Sequence, residues 1–77
     1  MMVINGRKSQ YDRILYYLEM HPEGITPYEA FLELGVTKLA TRISEMIRKG
    51  YAFEKIPESR VNVFGETKRY MRYRKAA

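Results

Sequence analysis

Thr26-Pro27-Tyr28-Glu29, running through Gly35-Val36-Thr37 to Lys49-Gly50, decides the fold, because it spells two capped helices joined by a turn too short to let them separate. Thr26 can accept from first-turn amides, Pro27 suits the first helical position, and Glu29 reaches back to the cap. Gly35 closes this helix, and Thr37 is expected to cap the next.

On a wheel of about 100° per residue, Leu39, Ala40, Ile43, Met46 and Ile47 of that next helix fall within an arc of about 120°. Polar residues cover the rest, among them Lys38, Thr41, Arg42, Ser44, Glu45, Arg48 and Lys49. The helix therefore docks by one stripe and offers the opposite one outward. A basic helix after so short a turn is helix-turn-helix grammar and points to the DNA major groove. Gly50 suits the left-handed position past its end.

Upstream, a first helix is expected from Ser9, with Asp12 a short capping-box partner. Tyr11, Ile14, Leu15 and Leu18 recur at helical spacing as its core stripe, and Pro22 and Gly24 end it. Ile25 can staple onto Ala30, and Ala30, Phe31 and Leu34 are expected on the buried side of the second helix. Downstream of Gly50 the period becomes two. Tyr51 and Phe53, then Met71 and Tyr73, should face the core, which leaves Arg72 and Arg74 outward beside Tyr70. Pro57 cannot donate to a ladder, so a bulge or irregularity is expected over residues 56–59. The run from Val61 to Thr67 reads as the end of a long hairpin turning at Gly65. Residues 1–8 are expected to form a flexible arm, 9–75 the domain and 76–77 a tail.

With 77 residues there is room for one domain with a single small core. The absence of cysteine excludes disulfides, thiolate metal sites and thiol nucleophiles. No apolar run is long enough to span a bilayer, so a soluble, cytoplasmic protein is expected, without membrane association. The net charge of +5 favours an anionic partner, and its distribution says more than its total. Residues 15–34 carry Glu19, Glu23, Glu29 and Glu33 with no lysine or arginine. Residues 37–50 carry Lys38, Arg42, Arg48 and Lys49 against Glu45, and residues 60–77 carry Arg60, Lys68, Arg69, Arg72, Arg74 and Lys75 against Glu66. A charge run also reads as a solvated face.

The chain resembles a small winged helix-turn-helix family found mainly in bacteriophages and mobile elements. The resemblance is carried by Ile25-Thr26-Pro27, Ala30, Leu34-Gly35-Val36, the Leu39 to Glu45 segment, Lys49-Gly50-Tyr51, and a hairpin with Gly65, Tyr70 and Tyr73, and it covers residues 8–75. It implies an α+β fold, a three-helix winged helix-turn-helix with a C-terminal β-hairpin wing, DNA binding and regulatory use. The two basic segments then fall in the elements that a winged helix presents to DNA. In the common repressor-type motif an apolar residue lies six positions after the turn glycine; here that position is Thr41, and Leu39 and Ile43 are apolar instead. The third helix is rotated relative to that pattern.

Enzymatic constellations are missing. His21 is the only imidazole, sits before Pro22, and has no cysteine or second histidine with which to share a metal. No Ser-His-acid set can be drawn around it, and the scattered glycines make no phosphate-cradling loop. No enzyme activity, cofactor or metal is expected. Of the seven tyrosines, Tyr11, Tyr51 and Tyr73 read as packing residues, while Tyr28 and Tyr70 are candidates for the rim of an interface. Glu45 is spaced for intrahelical pairs with Arg42 and Lys49.

The expected activity is sequence-specific binding of duplex DNA in phage-type transcriptional or recombination control. Lys38, Thr41 and Arg48 are the leading contacts, Arg42 and Lys49 suit phosphates, and Arg69, Arg72 and Arg74 would lie along the backbone or minor groove. The alternative is a protein-binding winged helix, or a homodimer, meeting its partner through Val61, Val63 and Phe64, because an apolar wing tip is poorly suited to phosphate. A third reading is an RNA-binding module.

Overall fold

The computed structural model describes residues 9–76 as three helices followed by one antiparallel hairpin. The N-terminal arm expected over residues 1–8 lies outside the described residues. Helix α1 spans Gln10–Met20, and Ser9 caps it by accepting from the Asp12 amide at 3.2 Å. Ile14 and Leu18 are buried as their spacing predicts, and so is Tyr17, on which His21 stacks at a ring separation of 4.0 Å. Tyr11 and Leu15 pack on the core from its margin.

Helix α2 begins at Pro27–Glu29 and continues as a π-helical segment over Ala30–Leu34. Its capping box is complete: the Glu29 amide donates to Thr26 Oγ1 at 3.2 Å, and the Thr26 amide donates to Glu29 Oε1 at 2.9 Å. Gly35 takes φ 70°, and the Arg13 guanidinium of α1 donates to the Leu34 carbonyl at 3.0 Å, closing the end. Ala30 and Leu34 are buried. Phe31 is not: it stands 58 % exposed, a correction to the expected core face. It follows Ala30 on the next side of the segment, outside the sector that carries Ala30 and Leu34 into the core.

Helix α3, Leu39–Arg48, buries Leu39, Ile43 and Met46. Ala40 and Ile47, together at one edge of the apolar arc, are exposed. Thr37 does not cap it. Lys38 is the cap residue, with its carbonyl accepting from the Arg42 amide at 3.1 Å and no side-chain bond at the terminus. The other end is a Schellman arrangement in which the Gly50 and Tyr51 amides donate to Ile47 and Met46 carbonyls, both at 3.0 Å. Tyr51 is therefore still part of the helix termination and is exposed, contrary to its expected core position.

Strands β1, Phe53–Val61, and β2, Thr67–Lys75, pair in one unbroken register from Phe53↔Lys75 to Val61↔Thr67, so the bulge expected at Pro57 does not form. The bonds from Ala76 to Ala52 and from Asn62 to Glu66 make the even-numbered residues the hydrogen-bonded pairs. Pro57 is odd-numbered, and its missing N–H would have faced the open edge. The same parity turns the Tyr73 backbone toward Ile25, with which it exchanges bonds of 2.8 and 2.9 Å. Gly24 makes this approach possible: at φ 109° a Cβ there would lie 2.5 Å from the Tyr73 carbonyl oxygen. Ile25 and Tyr73 thereby join one core with Ile14, Ala30, Val36 and Ile43, and Phe53 and Met71 pack against it. No helix among the described residues is long and apolar enough to cross a membrane.

Candidate nucleic-acid interface

Opposite its buried arc, α3 presents Lys38, Thr41, Ser44 and Arg48 to solvent. Thr41, Ser44 and Arg48 follow the i, i+3, i+7 spacing of a single stripe, and Lys38 stands one turn before Thr41. Lys38 and Arg48 have no carboxylate at ion-pair distance among the described residues. The flank is different. Arg42 pairs with Glu45 at 3.2 Å, as their spacing predicts, and its Nε is enclosed without a hydrogen-bond partner. Glu45 also accepts from the Tyr11 hydroxyl at 2.7 Å, a bond that, with burial, raises the Tyr11 pKa above the ordinary phenol value. Lys49 pairs with Tyr11 rather than with Glu45, its Nζ lying 5.7 Å from the ring centroid. The glutamate that would repel phosphate is thus turned toward α1 and partly neutralised.

The wing sorts its cations in the same way. Strand parity separates Arg72 from Met71 and Tyr73 as expected, but Arg72 does not point outward. Its side chain, only 18 % exposed, donates to Glu58 at 2.8 Å, to Glu29 at 3.3 Å and to the Gly24 carbonyl at 3.3 Å. The start of α2 covers this level of the hairpin, which is the physical reason for the correction. The Arg72 bond holds the Glu58 carboxyl below its ordinary range, and the same pair raises Arg72. Arg74 pairs with Glu54 at 3.0 Å on an open surface. Glu29 therefore belongs both to the α2 cap and to the anchor of the wing.

Arg69 is exposed and without a carboxylate partner among the described residues. It lies on the hairpin face opposite Arg60 and Lys68, which are a directly paired cross-strand couple. Like charges facing each other across a ladder are destabilising by themselves. Here they open onto a cleft of about 490 Å³ between the hairpin and the start of α2, shared with Tyr28, Tyr70 and Arg72. Burial raises the Tyr70 pKa first, and its bond with Glu58 adds to the shift. Sequence reasoning passed over Arg60 and Lys68. The signal was available: with the turn centred on Asn62 to Glu66, residues summing to the same number fall opposite each other.

A family profile described as a winged helix-turn-helix domain matches residues 9–75. No curated protein matches the chain, and no solved structure does. The profile spans nearly the whole described chain, and the observed order of three helices and a C-terminal hairpin agrees with it. The chain belongs to the winged helix-turn-helix domain family.

Proposed function

With that membership as premise, we propose that the chain is a sequence-specific duplex DNA-binding protein, cytoplasmic and without enzymatic activity, that regulates transcription or recombination in a phage or mobile element. The observation that carries the reading is the sorting of charge. Arg42, Arg72 and Arg74 are occupied by carboxylates, whereas Lys38 and Arg48 on α3 and Arg60 and Lys68 on the wing are left to an external anion. Thr41 and Arg48, at the centre of the exposed stripe, read base edges in the major groove, with Lys38 at the helix entrance. Lys49, Arg60 and Lys68 meet phosphates, which position the helix without reading sequence. Arg42, Arg72 and Arg74 act through the carboxylates that they hold, by fixing α3 and the wing in place.

Selection from random duplexes tests this directly, with an enriched motif as the expected result. Affinity should also fall with salt at a log-log slope of about −3 to −4 if Lys49, Arg60 and Lys68, with Lys38 beside them, meet phosphates. A flat salt dependence, or no binding at low salt, overturns the reading. The second reading, a protein-binding winged helix, is favoured by the exposure of Val61, Val63 and Phe64 at the wing tip.

A further inference from the structure

The cleft between the hairpin and the start of α2 offers more than a phosphate needs. Its volume of about 490 Å³ is in the range of sites that enclose a whole small molecule, whereas a bare phosphate would fill one corner of it. Arg60 and Lys68 face each other across the ladder at the end nearer the wing tip, and Arg72 lies nearer the base. Tyr28 stands on the α2 side and Tyr70 on the hairpin side.

The carboxylates on this face of the hairpin and at the start of α2 are already held. Glu29 and Glu58 are bonded to Arg72, and Glu66, beside Lys68 on the same strand face, accepts from the Asn62 amide group at 2.9 Å. Neither Arg60 nor Lys68 has a carboxylate at ion-pair distance among the described residues. Two facing cations repel each other, so an anion shared between them relieves one unfavourable contact and makes two favourable ones. The aromatic walls define the rest of the ligand. Tyr28 is 66 % exposed although it borders a cleft, and the half-buried Tyr70 is held to the hairpin by its hydroxyl bond with Glu58. Accessible phenol rings beside unpaired cations suit a base attached to a phosphate. A base in a duplex is stacked and paired, so duplex DNA does not supply it.

We propose that the cleft is a site for a free nucleotide, with its phosphate between Arg60 and Lys68 and its base against Tyr28 and Tyr70. Arg72 stays with Glu29 and Glu58 and forms the fixed end of the site. Occupancy takes Arg60 and Lys68 away from duplex phosphates. The nucleotide therefore releases the wing from DNA, a consequence that alone rests on the DNA-binding reading.

Calorimetric titration of the full chain without DNA tests the site separately from that reading: a chain that binds the nucleotide but no duplex keeps this proposal and loses the other. Adenosine monophosphate is the probe, with adenosine and inorganic phosphate as its two halves. The monophosphate should bind at least about tenfold more tightly than either half, and the Tyr28 and Tyr70 ring protons should shift in NMR spectra as it binds. Arg60→Gln with Lys68→Gln should lower its affinity about tenfold or more and leave adenosine binding unchanged. Tyr28→Leu should weaken the monophosphate and adenosine together and leave phosphate binding unchanged. All three positions are exposed, and circular dichroism checks the fold. Phosphate binding as tightly as the monophosphate would mark an anion site only and overturns the proposal. So does a double glutamine variant that binds as the wild type does, or the absence of saturation up to about 10 mM. A single-stranded trinucleotide that binds more than about tenfold tighter than the monophosphate would assign the cleft to an unpaired strand and overturns it as well.

Discussion

The third helix and the shaft of the wing carry similar densities of lysine and arginine, yet the fold uses them differently. On α3 the cations nearest the exposed stripe, Lys38 and Arg48, are unpaired, and the one pair, Arg42 with Glu45, lies at its flank. On β2, Arg72 and Arg74 are paired, while Lys68 and Arg69 nearer the tip and Lys75 at the base are open. A basic segment is therefore not a uniform binding surface. Neighbouring carboxylates decide which cations hold the protein together and which stay available to an anionic partner.

The largest expected effect follows from removing the cation that ties the wing to the start of α2. Arg72→Ala strips Glu58 and Glu29 of their partner in a half-buried setting, and should destabilise the fold by about 1.5–3 kcal/mol in denaturant titration. An intact stability with weakened DNA binding would break the comparison, because Arg72 would then be a contact and not an anchor.

Next comes the exposed stripe. Arg48→Ala or Thr41→Ala should alter preference at particular base pairs by about 1–2 kcal/mol without lowering stability, while Lys49→Ala should weaken all duplexes alike. Uniform losses from all three, measured on matched and mismatched sites, would make α3 an electrostatic anchor instead of a reader.

A pH titration sharpens the account of the wing. Glu58 has a lowered pKa in the folded protein, chiefly through its bond from Arg72. Its contribution to stability is therefore complete above the ordinary carboxylate range and is lost as pH falls through that range to the lowered folded value. Thermal unfolding of Glu58→Gln should show a shallower acid-side decline than the wild type; an unchanged slope would remove the pair from the acid response.

The smallest effect is expected at Arg74, whose pair with Glu54 is exposed on both sides. Arg74→Ala should change stability by no more than about 0.5 kcal/mol. A loss comparable to that of Arg72→Ala would show that exposure does not separate the two arginines.

Local signals were readable wherever neighbouring residues satisfy one another. The Thr26–Glu29 capping box, the ends at Gly35 and Gly50, the Arg42–Glu45 pair and the hairpin turn at Gly65 each form within a few residues. Readings that depended on a distant element fared otherwise. Phe31 fits a helical apolar pattern, but only Ala30 and Leu34 of this segment enter the core, and Phe31 lies outside it. Arg72 occupies the strand face that alternation assigns to it, but nothing near it in sequence announces that Glu29, 43 positions away, will cover that face. Pro57 needed the register of the whole hairpin before its missing N–H could be assigned to an edge.

By itself, then, the sequence determined the three helices, the hairpin, the apolar arc of α3 and the segregation of charge, because caps, periodicity and turn residues act over one or two helical turns. The tertiary structure alone decided which cations are free, that Glu29 ties the α2 cap to the wing, and that Phe31 and Leu32 stay outside. Those outcomes rest on contacts between groups far apart in the chain, where geometry and desolvation select among partners that are chemically alike.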